Sequence, residues 1–524
     1  MVVMMFFRFL ILFFTVLIKV LTLMLFTNLY FCLLLPIILG FVMINSIVKV
    51  NNSKRIGLLI SFFVFLCCLL LWNNFSNKMY TYQFVSILYW VPFVNKLEVL
   101  GVDGLSFFFV LLTAFLIPIC LLASWSSVKK EVKSYIMYFL FLDLLLLLVF
   151  LSTDVLLFYV SFEGVLIPMY ILIGVWGSRE RKIRAGYLFF FYTLLGSIFM
   201  LLGIIYIYVR TGSTSFEVIN CYEFSLEEQA WLWLSFFLSL ASKIPMFPFH
   251  VWLPEAHVEA PTAGSVLLAG VLLKLGSYGF LRYSLILFSI ACYYFSSVVY
   301  VLALLGVVLG SLTAIRQTDL KRIIAYSSVA HMNLVMLGIF SFGIAGTEGS
   351  ILQSLSHGFV ASGLFLLIGV LYDRTHSREV YYYSGLSAIM PVFSLFFLVF
   401  TMANIAIPGT SSFVGEFLIL VGIFSFSTTA GFIGSSSMVL GGVYSLWLLN
   451  RIIYGNIKIE YMLHFNDFNI REFFSLFPLI IGVLIIGFYP EVFLKDISGI
   501  SVYYNMQMNI FLTDAIMCVK NNFL

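Results

Sequence analysis

Residues 228–250 read EQAWLWLSFFLSLASKIPMFPFH, an apolar run that contains one lysine and two prolines. A helix needs about 20 apolar residues to cross a bilayer, so this run is long enough to span a membrane. Proline removes a helical hydrogen bond and clashes with the carbonyl four residues back, so Pro245 and Pro248 should break the helix. Lys243 would then lie beside the break at membrane depth, where a charge usually has a function.

The rest of the chain is similarly rich in apolar residues. Of its 524 residues, 62% are hydrophobic and only 10% are charged, and the mean hydropathy is +1.09. Soluble globular chains have roughly 45–50% apolar and 25% charged residues, so this composition excludes an ordinary soluble enzyme. The net charge of +4 is spread over loops, which argues against nucleic acid as a partner. We therefore expect an all-α polytopic membrane protein surrounded by lipids, because helices satisfy their backbone hydrogen bonds internally.

Fourteen apolar runs predict about 14 transmembrane helices. In chain order they cover 28–48, 55–72, 103–125, 134–152, 154–177, 184–209, 228–250, 262–283, 295–316, 321–341, 348–372, 389–424, 432–453 and 472–495. Loops after odd-numbered runs carry 18 lysines and arginines, whereas the opposite side carries six. This asymmetry is typical of membrane proteins whose basic loops face the cytoplasm or matrix. Residues 1–27 predict either an additional span or an interfacial helix.

The twelfth run is interrupted like the seventh, at residues 404–410, NIAIPGT, which contain Pro408. Broken helices at matching positions of two halves indicate an internal repeat and an ion path near the membrane midplane. Because the breaks lie five runs apart, the two halves should be inverted relative to each other. The predicted divisions are an N-terminal extension (1–27), helices 1–3 (28–133), two inverted five-helix repeats (134–283 and 284–453), and a last membrane helix with a C-terminal tail (454–524).

Ionisable residues inside the runs need a reason, because a lone charge at the bilayer centre costs about 3 kcal/mol on insertion scales. Seven of them fall near half depth, namely Asp143, Glu163, Lys243, Lys274, His331, His357 and Glu416. Buried ion pairs that fix helix register are the alternative interpretation. Ion pairs, however, need no common depth, whereas a relay along the membrane plane does. No metal-ligand spacing occurs among these residues, so we expect no metal site.

A buried lysine beside a carboxylate can hold a proton while the two are close and release it when they separate. We therefore predict that Lys243 and Glu163 control a proton. Lys274 should pass it on through bound water, and Glu416 should carry it towards one surface. His331, His357 and Asp143 are predicted accessory members of this relay.

Four ionisable residues in or near the loop after the seventh run have two open interpretations. They are His250, Glu255, His257 and Glu259. They are either a proton entrance at the surface or ordinary loop polarity. The seven cysteines show no C-x-x-C spacing, so we expect no redox centre in this chain. The N-terminus has no pattern of a cleavable signal or presequence, and 58 Phe and 29 Tyr suit an AT-rich organellar genome.

Several stretches resemble the antiporter-type, proton-conducting membrane subunits of respiratory NADH:quinone oxidoreductase, complex I. They are 243–276 (KIPMFPFHVWLPEAHVEAPTAGSVLLAGVLLKLG), 316–332 (RQTDLKRIIAYSSVAHM) and 356–358 (SHG). Residues 371–378 (LYDRTHSR) and 408–417 (PGTSSFVGEF) are closer still to one member of that family. The resemblance covers roughly residues 28–495.

The resemblance implies a fourteen-helix, proton-translocating subunit of the complex I membrane arm, in a mitochondrial inner membrane. It implies that Glu163 and Lys243 are the proton-controlling pair, Lys274 the central carrier and Glu416 the exit-side group. Glu416 stands where several sister subunits have Lys, and Asp143 stands where the family usually has Glu.

The chain would contribute to an H⁺-translocating NADH:ubiquinone reductase without binding a cofactor itself. NADH, FMN, iron–sulfur clusters and ubiquinone are expected in partner subunits, and neighbouring antiporter-like chains are expected as partners. Three alternatives stay open at this point. The chain could belong to a multi-subunit cation/proton antiporter without redox coupling, it could be a scaffold with an inactive path, or its path could conduct Na⁺ or K⁺.

Overall fold

The structure is a computed structural model, and it describes residues 30–46, 50–76, 81–89, 97–458 and 466–522. Within those ranges the chain is a bundle of apolar helices. Eleven of these helices are long and apolar enough to cross a membrane. This agrees with the prediction of a polytopic helical membrane protein. The predicted extension at residues 1–27 lies outside the described residues.

The first half of the chain begins with a π-helical turn at Tyr30–Leu34. Its elements are α1 (Leu35–Ser46), α2 (Val50–Asn73), β1 (Gln83–Tyr89), β2 (Leu97–Val102), α3 (Gly104–Ala123), α4 (Val132–Leu151), α5 (Val155–Gly164), α6 (Leu166–Trp176), α7 (Lys182–Thr211), α8 (Phe216–Asn220), α9 (Leu226–Lys243), α10 (Trp252–Glu259) and α11 (Thr262–Leu287). Helix α11 contains two π-helical turns, at Leu268–Leu272 and Phe280–Ser284.

The second half continues with helices and one short 3-10 turn at Val380–Tyr382. Its helices are α12 (Ser289–Tyr294), α13 (Ser296–Arg316), α14 (Leu320–Ile339), α15 (Ile344–Thr375), α16 (Leu386–Ile389), α17 (Pro391–Asn404), α18 (Ser411–Phe426), α19 (Thr428–Ile453), α20 (Ile470–Phe488) and α21 (Glu491–Asn522).

Both predicted breaks are present. In the seventh run α9 ends at Lys243, and the next helix, α10, begins at Trp252, just after the run; the twelfth run divides into α17 and α18. At the first break, the indole of Trp252 donates to the carbonyl of Ser242 at 2.9 Å, and the amide of Asn333 donates to the carbonyl of Pro245 at 3.1 Å. At the second break, the hydroxyl of Ser412 donates to the carbonyl of Ala403. Side chains thus bind carbonyls that a continuous helix would have used itself, as membrane burial requires.

A third break, between α5 and α6, was not predicted. It lies at Val165, three residues before Pro168. The pyrrolidine ring of Pro168 collides with the position of the Gly164 carbonyl, which ends the first half-helix there. The consequence is that Glu163 lies at a helix junction rather than in the middle of a regular helix.

The prediction of an all-α chain was wrong between the second and third runs. Strands β1 and β2 form an antiparallel pair, in which Leu88 faces Glu98 and Tyr89 faces Leu97. The segment QFVSILY at 83–89 is rich in β-branched and aromatic residues, which fit a pleated, half-buried surface. It is also too short to cross a bilayer as a helix, so a search for membrane helices passes over it.

Most of the predicted C-terminal tail is helical, because residues 491–522 form the 32-residue helix α21. Its residue Asp496 accepts a hydrogen bond from the indole of Trp72 at 3.1 Å, and Ser501 donates to Glu348 at 2.8 Å. The carbonyl of Asp496 lies 2.1 Å from the position that a Cβ at residue 104 would occupy. Glycine at this position therefore lets α21 lie directly against the start of α3.

Loops rich in lysine and arginine lie together at one end of the bundle. The amine of Lys54 donates to the carbonyl of Trp125 at 2.6 Å, and Trp176 donates to the carbonyl of Lys130 at 3.0 Å. The loops at 124–131, 177–181 and 376–379 meet there around a shared cavity. We call this end, defined by these three loops, the basic face.

Helices α11 and α15 form the centre of the bundle. The most apolar segments of both helices are entirely buried by other helices, whereas only about a third of those of α2 and α19 is buried. Gly270 in α11 approaches α15 closely, since a Cβ there would lie 3.0 Å from the hydroxyl of Ser362. Side chains on α11 and α15 therefore meet in the protein interior, away from lipid.

Candidate functional site

Lys274 and His357 are in contact at the centre of the bundle. The amine of Lys274 lies 2.8 Å from Nδ1 of His357 and 2.5 Å from the carbonyl of Ala269. Both side chains are buried. Ala269 belongs to the first π-helical turn of α11, directly before Lys274. Such turns are frequent at functional sites, and this one supplies a carbonyl that solvates the amine in place of water.

His331 and Glu416 form a second buried contact, between α14 and α18. Nδ1 of His331 lies 2.9 Å from Oε1 of Glu416, and the two rings of His331 and His357 are 5.8 Å apart between centroids. Lys274, His357, His331 and Glu416 therefore form one continuous line of titratable groups. The line joins helices from both predicted repeats, and four of the seven predicted half-depth residues belong to it.

Two residues that the sequence analysis missed support this line. The amide of Gln353 donates to Oε1 of Glu416 at 2.9 Å, while its own oxygen accepts from the hydroxyl of Ser356 at 3.0 Å. The hydroxyl of Tyr444 lies 3.4 Å from Nε2 of His331. Gln353 precedes His357 by four residues, so both lie on one face of α15, and this spacing could have revealed it. No sequence spacing of this kind indicated that Tyr444 would contact His331.

Glu163 and Lys243 are neighbours but do not form an ion pair. The amine of Lys243, at the end of α9, donates to the carbonyl of Phe162 at 3.3 Å and lies 4.3 Å from the centre of its ring. The carboxylate oxygens of Glu163 are buried, and the side chain that interacts with them by hydrogen bonding is the hydroxyl of Ser197. The two charges still interact electrostatically through the protein interior. The helix junction at Val165 and the end of α9 thus bring opposite charges together without binding them to each other.

Asp143 lies apart from the line, on α4. It is fully buried, and both of its carboxylate oxygens lack a hydrogen-bond partner among the residues that the structure describes. Such an arrangement is costly for an ionised carboxylate, because a buried charge without a partner loses its hydration without compensation. The structure brings Asp143 into no contact with the other six half-depth residues.

The predicted surface entrance needs a correction. Residues 252–259 form helix α10 rather than a loop, and His257 and Glu259 are buried inside the protein. Only His250 and Glu255 are partly exposed, and Glu255 pairs with Arg322 at 2.7 Å. A polar helix of eight residues lacks the length and apolarity of a membrane span, which is why the sequence alone placed it in a loop.

Three basic residues at or near the ends of the predicted runs are also buried. Lys321 donates to the carbonyl of Ala260 at 3.0 Å, and Arg378 donates to the carbonyl of Val258. Arg282 forms an ion pair with Asp103 at 2.5 Å. Asp103 accepts a hydrogen bond from the backbone of residue 106 as well, so it is also the N-cap of α3.

Within the described ranges, no group of three or more His, Cys, Asp or Glu side chains is arranged to hold a metal ion. The continuous line of Lys, His and Glu side chains can instead accept and donate protons, since each of these groups exists in two protonation states that differ by one charge.

Comparisons with known proteins show which family the chain is similar to. Residues 152–441 match the family described as NADH:quinone oxidoreductase/Mrp antiporter, TM. The chain is 51% identical to NADH-ubiquinone oxidoreductase chain 4 of Marchantia polymorpha over 473 residues, which cover 90% of this chain and 95% of that protein. It is 53% identical to the chain of the same name from Arabidopsis thaliana, over 85% of this chain and 90% of that protein.

A solved structure extends the likeness to three dimensions. A chain of respiratory complex I from Thermus thermophilus with bound NADH superposes with a TM-score of 0.83 at 27% identity. The match covers 91% of this chain and 98% of that chain. The resemblance predicted from the sequence is thus confirmed. This chain belongs to the NADH:quinone oxidoreductase/Mrp antiporter family.

Proposed function

We propose that this chain is the chain-4-type, proton-translocating subunit in the membrane arm of respiratory NADH:ubiquinone oxidoreductase. The observation that carries the proposal is the buried line from Lys274 through His357 and His331 to Glu416. A proton can pass along such a line because every neighbouring pair is in hydrogen-bond contact or separated by little more than one water. Relatives with about half of their residues identical over nearly their full length support the same assignment.

In this proposal Glu163 and Lys243 control the loading of the line. The interior favours neutral groups, and a nearby opposite charge favours charged ones, so a small displacement changes which of the two holds a proton. Each tenfold change in proton occupancy needs only about 1.4 kcal/mol. Asp143 is a candidate accessory carrier on the side of the first repeat. Glu416 passes the proton towards the exit.

The proposed architecture has fourteen membrane crossings and two inverted five-helix repeats, over 134–283 and 284–453. The breaks between α9 and α10 and between α17 and α18 support it, since they interrupt helices five crossings apart. Pro245, Pro248 and Pro408 are the residues that set these breaks. The N-terminal helices 28–133 and the C-terminal part 454–524 lie outside the repeats.

The redox chemistry belongs to other subunits in this proposal. NADH, FMN, iron–sulfur clusters and ubiquinone are bound by partner chains, and this chain contacts neighbouring antiporter-like chains and lipid in the mitochondrial inner membrane. A multi-subunit cation/proton antiporter is the second candidate, because the matching family includes both kinds of protein. The full-length similarity to chain 4 proteins favours the first candidate over the second.

Replacing Glu163 with Gln should lower both the rate of proton uptake and the rate of quinone reduction several-fold. Glutamine keeps the size of the side chain but cannot carry the charge that acts on Lys243. The measurement is NADH-driven proton uptake and quinone reduction in membranes, with assembly of the complex verified on a native gel.

A matched control is Glu491→Gln, because Glu491 is an exposed carboxylate at the start of α21. It should leave both activities unchanged. If assembled Glu163→Gln complex keeps both activities at the parent level, Glu163 is a structural charge and the proposed control pair is wrong. If proton uptake falls while quinone reduction persists, redox chemistry and proton transfer are not coupled through this residue.

A further inference from the structure

Two helices of the buried line touch the break that follows Lys243. Helix α11 carries Lys274, and it meets the break at Gly276. A Cβ at Gly276 would lie 3.1 Å from the backbone nitrogen of Ile244 and 3.0 Å from the carbonyl oxygen of Leu240. These backbone atoms belong to the end of α9, so α11 packs directly on that end, two residues after Lys274.

Helix α14 touches the same break through the side chain of Asn333. Its Nδ2 donates to the carbonyl of Pro245 at 3.1 Å and to the carbonyl of Val329, in its own helix, at 2.8 Å. Asn333 is completely buried and lies two residues after His331. A carbonyl without a hydrogen bond is costly inside a membrane, so this amide supplies the donor that the break takes away from Pro245.

The amide of Asn333 is also fixed sideways, in a notch that Gly306 of α13 leaves open. A Cβ at Gly306 would lie 2.5–2.7 Å from Cγ, Nδ2 and Oδ1 of the amide. Oδ1 is buried and has no hydrogen-bond partner in the part of the chain that the structure describes. An apolar side chain could fill the notch without an unpaired acceptor, so packing alone does not account for an asparagine here.

We propose that Asn333 is a positioning residue that holds the break after Lys243 against the helix that carries His331. The inference rests on the proposed proton-translocating function and adds a physical connection within it, from the control pair of Glu163 and Lys243 to the buried line. The hydrogen bond to Pro245 starts two residues from His331 and ends two residues from Lys243. A movement of either segment therefore acts on the other through one side chain, and the position of Lys243 relative to Glu163 depends on that side chain.

A role in packing or folding is the competing explanation, and the notch at Gly306 offers a way to separate it. Asn333→Ala removes both the hydrogen bond and the group that fills the notch. Adding Gly306→Ala returns a methyl group to the same space, because its Cβ takes the place where the amide lay. The double variant therefore restores part of the packing without restoring a donor to Pro245.

The first measurement is NADH-driven proton uptake and quinone reduction in membranes, normalised to assembled complex. We expect Asn333→Ala and the double variant to lower both rates about threefold or more, well within the about 100-fold that a displacement of 1 Å can cost. Parent rates in the double variant would show that Asn333 only fills space and would overturn the proposal. Absence of assembled complex in both variants would overturn it as well, because the amide would then serve folding.

Ser328→Ala is the matched control. Ser328 is also completely buried on α14, and its hydroxyl donates to the carbonyl of Ile324 in the same helix at 3.0 Å. The control thus removes a buried polar group of α14 that bonds within the helix rather than to the break, and it should keep parent rates.

The pH dependence of the rates separates positioning from a general defect. Among the described residues, Glu163 is the charged group that acts electrostatically on Lys243, and Ser197 and Tyr159 interact with Glu163 in turn. The proton affinity of a buried lysine depends on the distance to its carboxylate, so we expect the pH–rate profile of both Asn333 variants to shift by about half a pH unit or more. An unchanged profile at a lower rate would contradict the positioning role.

A combination with Glu163→Gln gives the second measurement. If Asn333 acts through the control pair, the double variant combined with Glu163→Gln should be no slower than Glu163→Gln alone, since the pair is already disabled. Independent defects would instead multiply, because the effects of uncoupled sites add in free energy. A further loss of about threefold or more in the combined variant would overturn the proposal.

The result for Glu163→Gln keeps the two proposals apart. If it lowers both activities while both Asn333 variants behave as the parent, the positioning role is wrong and the proposed function stands. If Glu163→Gln and the Asn333 variants are all without effect, the control pair itself is wrong.

Discussion

Replacing Lys274 with Met should abolish proton translocation in a complex that still assembles. Methionine is close to lysine in length and shape, and replacing a buried charge with an apolar group of similar size is often neutral for stability. The variant removes the only amine in contact with His357 among the described residues, so the line loses its first member. We expect proton uptake and quinone reduction to fall by about 100-fold or more, as expected when a positioned acid–base group is removed.

The measurement is proton uptake and quinone reduction in membranes, normalised to assembled complex. Lys495→Met is the control, because the side chain of Lys495 is 68% exposed on α21. It should behave as the parent. Lys274→Arg adds a second comparison, because it preserves the charge without a releasable proton and should be as inactive as Lys274→Met. Wild-type rates in assembled Lys274→Met complex would show that the buried line does not carry the proton.

Replacing Arg282 with Met should prevent stable folding of the chain. Arg282 is buried, forms its ion pair with Asp103 at 2.5 Å, and lies 4.8 Å from the centre of the Tyr82 ring. Removing one partner of a buried pair leaves the other charge uncompensated, at a cost of about 3–5 kcal/mol. A typical domain has a free energy of unfolding of only about 5–15 kcal/mol, so this cost removes a large part of it. We therefore expect little assembled complex.

The measurement is the amount and melting temperature of the detergent-extracted complex. A double variant, Arg282→Met with Asp103→Leu, removes both charges and should recover much of the lost stability, because no uncompensated charge remains. The control Arg210→Met removes an ion pair with Glu228 in which the arginine is half-exposed, and should change stability by at most about 1 kcal/mol. Equal losses in the single and double Arg282 variants would show that the guanidinium acts through packing alone.

The sequence predicted the helical runs, the two broken helices and the seven half-depth residues, because apolar length and an isolated charge are local properties. Partnerships between those residues are not local. His331 and Glu416 are 85 residues apart, and only the packing of α14 against α18 brings them within 2.9 Å. Gln353 is the intermediate case, since its spacing from His357 was visible but its contact with Glu416 was not.

The errors share one physical origin. Helix α10, the β1–β2 pair and α21 are too short or too polar to cross a bilayer, so a search for apolar runs assigns them to loops or a tail. Lys321, Arg282 and Arg378 lie within a few residues of helix ends, where a sequence cannot distinguish a solvated side chain from one covered by a neighbouring element. Their burial depends on α10, β1 and α21, which were themselves missed.

The burial of the apolar segments of α11 and α15 has a consequence for how the protein is made. Neither segment faces lipid in the finished bundle, yet both are synthesised before all of their neighbours exist. On insertion scales a central lysine costs about 3 kcal/mol and each leucine returns about 0.5 kcal/mol, so about six leucines offset one lysine. Helix α11 contains eight leucines, enough to offset Lys274 at its centre, whereas the second basic residue, Arg282, lies near the end of the helix, where its long side chain can reach the interface. The charged line is therefore completed only after insertion, when later helices close around it, and a chain halted before α18 would hold His331 without its carboxylate partner.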